Sequence, residues 1–157
     1  MILLTRVLAL RASREARDAQ SLRRARDARA QADDAVAQAE RMLEQGEQNA
    51  RREGDALFDS LRGGLWTLSA VRDMHGRLDV LRQRTEALRD GVAGAEDGRR
   101  QRQAELESAR GVHARSRRQL DKTREMNRLR EQDVRLRGER EEELEMEEIG
   151  ASRRTAT

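Results

Sequence analysis

A chain of 157 residues that is 40% charged, 1% aromatic and free of proline cannot build an ordinary globular interior, because such interiors lean on aromatic and branched side chains. Without cysteine it forms no disulfide and offers no thiolate to a metal, and its 33 basic residues against 30 acidic ones leave a net charge of only +3. Ala, Arg, Glu, Leu and Gln dominate, with no proline to break a helix, which argues against disorder and for long α-helices.

The chain opens "MILLTRVLAL", which is shorter than the roughly 18 apolar residues of a membrane span. It also lacks the order of charged, apolar and small residues that marks a secretory signal, so a cytoplasmic location and no membrane span are expected. From Ala25 the small and apolar positions run Ala25, Ala28, Ala32, Ala35, Ala39, Met42 and Gly46. Spacings that alternate between three and four predict the a/d seam of a coiled-coil helix over residues 1–57.

Next comes "LFDSLRGGLWTLSAV", which holds the single Phe, the single Trp and the Gly63-Gly64 pair. Two glycines relax the backbone, and residues 58–70 are expected to form a hairpin tip. There Phe58 and Trp66 either pack across the turn or stand out as a knob for a partner.

A second seam follows at Leu78, Leu81, Thr85, Leu88, Val92, Ala95, Arg99, Arg102, Leu106 and Ala109. Folding the chain about Gly63-Gly64 puts residue i opposite about residue 127 − i. Gly46 then meets Leu81, Ala39 meets Leu88, Leu8 lies beside Leu120 and Leu22 beside Leu106. Arg99 and Arg102 fall opposite Ala28 and Ala25: either their stems lie over the small surface with their guanidinium groups in water, or the register slips there, near Gly91, Gly94 and Gly98. The expected fold is all-α: two long helices in an antiparallel coiled-coil hairpin, the second helix longer and covering residues 71–148.

In that register everything from about residue 127 overhangs. Between Arg110 and Arg137 stand ten basic and four acidic residues, and from Gly138 to Thr157 three basic and seven acidic ones. Met126, Leu129 and Leu136 draw an apolar stripe with no mate in the hairpin: either a candidate surface for a partner groove, or part of a solvated charged helix that frays at its acidic end. Residues 149–157 are expected to be a disordered tail.

His75 and His113 stand apart, without a second ligand at metal spacing, and no phosphate loop, dinucleotide turn or nucleophile elbow is present. No catalysis, cofactor or metal is expected. Nucleic acid is not an expected partner either, because acid interrupts the arginine runs, as in "RRARDARAQADD"; "ARSRRQLDKTREMNRLR" is the strongest segment for weak RNA binding.

The order of "MILLTRVLALR", the tip "LFDSLRGGLWTLSAVRDMHGRL" and the closing helix "LDKTREMNRLREQDVRLRGEREEELEMEE" resembles the YscO/HrpO family of bacterial type III secretion proteins, whose flagellar counterpart is FliJ. The resemblance implies a two-helix coiled coil, similar to the gamma subunit of rotary ATP synthases, acting as the central stalk of the export ATPase hexamer. It implies a place at the cytoplasmic face of the bacterial inner membrane, with export chaperones and the export-gate protein as further partners. On this reading Arg117, Arg118, Lys122, Arg124 and Arg128, with Met126, Leu129 and Leu136, would face the ATPase. Phe58, Gly63, Gly64 and Trp66 would form the knob for the other partners. The alternative is a self-associating scaffold with no ATPase partner.

Overall fold

The computed structural model describes residues 2–155 of the chain and the side chains of residues 3–149. Helix α1 (Ile2–Leu61) and helix α2 (Leu68–Thr155) pack against each other as an all-α hairpin, with no strand among the described residues. The connection is residues 62–67, tighter than the 58–70 expected, so Phe58 lies in the last turn of α1. Helix α2 continues to Thr155 where a disordered tail was expected, and residues 156–157 of that tail lie outside the described residues.

Local chemistry explains both helix ends. Gly63 takes φ 105°, a left-handed conformation that a Cβ would penalise, and so ends α1. Before it the Arg62 amide donates to the Asp59 carbonyl (3.1 Å) and the Ser60 hydroxyl to the Leu57 carbonyl (2.7 Å), satisfying groups the helix leaves over. Thr67 is the N-cap of α2: its Oγ1 accepts from the Ala70 amide at 3.2 Å and its carbonyl from the Val71 amide at 3.2 Å.

The structure divides into two compact units, a hairpin unit (Leu22–Ala109) and a terminal unit formed by residues 1–21 and 110–157. In the hairpin unit the buried apolar residues are Leu22, Val36 and Leu106. The α2 side of the seam is half-buried from Leu78 through Leu81, Thr85, Leu88, Val92, Ala95 and Arg99, as its spacing predicts; Arg102 is exposed and Gln103 turns inward in its place. On α1 Ala25, Ala28, Ala32, Ala39 and Gly46 are half-buried as their spacing predicts, and two positions differ. Ala35 and Met42 face solvent, while Val36 and Leu43 turn inward. The shift by one residue puts the bulkier branched side chains on the buried face, where they remove more apolar area from water.

The register also differs. Gly46 lies against Leu88 and not Leu81, a slip of one heptad, and Gly54 lies against Leu78. Arg89 pairs with Glu47 at 2.9 Å, and the Arg29 Nε donates to the Gln103 Oε1 at 2.8 Å. A heptad pattern superposes on itself after seven residues, so a slip of this size keeps both seams intact.

Arg29 also pairs with Asp33. That hydrogen bond, with the charges of Arg29 and Arg99 in support, holds the exposed Asp33 carboxyl below its ordinary value. A carboxylate depressed in the folded state adds stability above its unfolded value, and this is lost as the pH falls through the folded value. We expect a carboxyl-carbon NMR titration to show Asp33 protonating below the ordinary aspartate range. Arg29→Gln should move the Asp33 midpoint upward, and an unmoved midpoint would remove Arg29 as the cause.

The terminal unit is held by a small polar-apolar cluster. Leu120 and Thr123 are 3% and 2% exposed. The Thr123 hydroxyl donates back to the Gln119 carbonyl (2.8 Å), and the Arg11 Nη1 donates both to that carbonyl (3.0 Å) and to the Thr123 Oγ1. His113 Nε2 meets Glu15 Oε1 at 2.9 Å. Leu4 and Leu8 line one groove with Asn127, Arg130 and Val134. Leu8 thus neighbours Asn127 where Leu120 was expected, and α2 keeps company with α1 as far as Val134. The overhang expected from about residue 127 begins later for the same reason that Gly46 meets Leu88.

Candidate partner-binding surfaces

Two groups of exposed side chains stand out, one in each unit. Around the connection of the hairpin unit, Phe58 is 54% and Trp66 50% exposed, so neither is folded away under the turn. Leu65 and Leu68 beside them are more exposed still. Gly63 supplies the left-handed turn, and Gly64 stands in open space. Apolar area bared beside a tight turn is the kind of surface that marks a contact site. Leu65 and Leu68 were not singled out from sequence, although both flank the glycines in "GGLWTL".

In the terminal unit Arg117, Arg118, Lys122, Arg124 and Arg128 are all exposed along α2. Arg124 pairs with Asp121 at 3.6 Å, and Arg128 grips Glu125 through two contacts of 2.7 and 3.0 Å. That grip holds the Glu125 carboxyl below its ordinary value and raises Arg128. Arg117, Arg118 and Lys122 have no carboxylate partner among the described residues. Among the described residues no ion pair neutralises their charge.

Met126, Leu129 and Leu136 are 51–54% exposed. Leu129 comes nine residues after the buried Leu120, which on an α-helix is half a turn away, so it points opposite to the seam. Val134, also half-exposed, was not foreseen; it contributes to the groove beside Leu4 and Leu8. The exposed apolar positions continue at Leu144, Met146 and Ile149, among the closing glutamates.

His75 is exposed and His113 is engaged by Glu15. No group of three His, Asp or Glu side chains that could hold a metal ion occurs among the described residues, and no helix there is long and apolar enough to cross a membrane. Among the described residues these surfaces bare guanidinium and ammonium groups without ion pairs, together with leucines, methionines and aromatics.

Compared with known proteins, residues 4–152 match the family model described as "Type III secretion protein YscO". No curated protein and no solved structure matches the chain.

Proposed function

Because the chain belongs to the YscO family of type III secretion proteins, we propose that it acts without catalysis of its own, as the stalk and regulator of the export ATPase hexamer. The observation that carries this reading is the row Arg117, Arg118 and Lys122, exposed and without ion pairs among the described residues, on an α2 that runs on past Val134, which lies beside the first turns of α1. Such a surface suits the interior of a ring lined with acidic groups. One asymmetric chain inside six equivalent subunits touches them unequally, and unequal contact is what biases some nucleotide sites over others. Phe58, Trp66 and the leucines beside them remain free for the export gate or for export chaperones at the cytoplasmic face of the inner membrane.

The test combines light scattering of the chain mixed with the export ATPase and assay of ATP hydrolysis, with the chain dilute enough to be monomeric. The expected result is one chain per hexamer and altered turnover. Both should be lost when Arg117, Arg118 and Lys122 are changed together to Glu, and both retained when Trp66→Ser alters the connection. If no complex forms, or if the triple variant binds as well as the parent, the stalk reading fails.

A further inference from the structure

On the face of α2 opposite the seam, the terminal unit carries a second stripe at heptad spacing: Arg118, Lys122, Leu129, Leu136, Glu143 and Glu147. All six side chains are exposed, and the two leucines are about half so. None of the four charged ones has an ion-pair partner among the described residues. The order is two basic, two apolar, two acidic, so the stripe turned end for end is its own complement.

We propose that two copies of the chain pair antiparallel through this face, with the two-fold axis passing between Gln132 and Asp133. Arg118 then faces Glu147 of the second copy, Lys122 faces its Glu143 and Leu129 its Leu136, and symmetry makes each contact twice. Glu125 and Arg140, also on this face, come opposite each other in the same alignment. The like-charged Arg128 and Arg137 fall to the flank, each beside its own carboxylate, Glu125 and Asp133. A foreign acidic helix would match the basic third of the stripe and be repelled by the glutamates, and a basic helix would have the opposite fault. The fitting partner must invert its charge at the same place, and a second copy does. Isologous pairing of this kind is how most soluble homodimers close.

The dimer itself does not depend on the stalk reading. If that reading holds, pairing covers Arg118, Lys122, Leu129 and Leu136, so a paired chain is held off the ring.

Sedimentation velocity of the full chain alone, at rising concentration and low salt, tests the proposal. A monomer–dimer equilibrium is expected, weakened about tenfold or more by high salt because the paired charges are exposed to ions. Glu143→Lys with Glu147→Lys makes the stripe basic throughout, and Arg118→Glu with Lys122→Glu makes it acidic throughout. Each variant alone should stay monomeric with unchanged helix content by circular dichroism, since the positions lie away from the seam. Mixed together, the two should form a one-to-one heterodimer. A parent chain that stays monomeric at every concentration, a dimer that survives either inversion, or variants that do not associate on mixing would each overturn it.

Discussion

Leu120→Ala should cost the terminal unit about 2–5 kcal/mol, the range for removing a fully buried leucine. The effect is large for so small a change because Leu120, at 3% exposure, is the one buried apolar side chain among the described residues of that unit. Thr123 beside it is polar, and its hydroxyl is already committed to the Gln119 carbonyl and to Arg11. Amide hydrogen exchange reads the outcome directly: protection across residues 3–21 should collapse in Leu120→Ala and persist in Leu129→Ala, whose parent side chain is 53% exposed. Equal protection in both variants would mean that polar contacts, chiefly Arg11 and Glu15, hold the unit together.

The second large effect runs the other way. Gly91, Gly94 and Gly98 sit inside α2, where each glycine is about 0.8–1.0 kcal/mol less favourable than alanine. A Cβ added at any of them meets nothing within 4 Å, and none has a positive φ. Changing all three to alanine should therefore stabilise the hairpin unit by about 2–3 kcal/mol, which is roughly 4–12 °C in melting temperature for a chain of this size. Gly46→Ala is the internal contrast. Its Cβ would press on the Leu88 Cδ1, so Leu88 must leave its place and the helix-propensity gain is offset. A triple variant that melts no higher than the parent would show that these glycines serve a conformation the folded helix does not display.

How much of this was legible beforehand depended on which residues marked each position. The α2 seam could be read from Leu78 to Val92 because leucine and valine occupy most of its inward positions and few of its outward ones. On α1 alanine occupies both Ala35 and Ala39, so an alanine count cannot choose the phase; Val36 and Leu43, seven apart, held the better signal. The register was not legible at all from the seams. A slip of one heptad still brings seam position onto seam position, so the spacing alone does not choose between Leu81 and Leu88 opposite Gly46. The exposed Arg117, Arg118 and Lys122 were visible in the sequence, since uninterrupted basic residues rarely turn inward. The burial of Thr123 was hidden, because a threonine at a seam position is buried only if something accepts its proton, and Gln119 does so one turn earlier.

Arg11 reaches Thr123 across 112 residues of sequence, and Glu15 meets His113 across 98. Closing a loop of that length directly costs about 4 kcal/mol of chain entropy, whereas extending a pairing already begun near Gly63 costs a small fraction of that for each added turn. Folding should therefore run outward from the connection, and the contacts of Arg11 and Glu15 should be among the last to form. On a ribosome adding about 5–20 residues per second, roughly 6–22 s separate the synthesis of Arg11 from that of Thr123. For that interval Leu4 and Leu8 have no groove to share, and the nascent chain must keep them from other company.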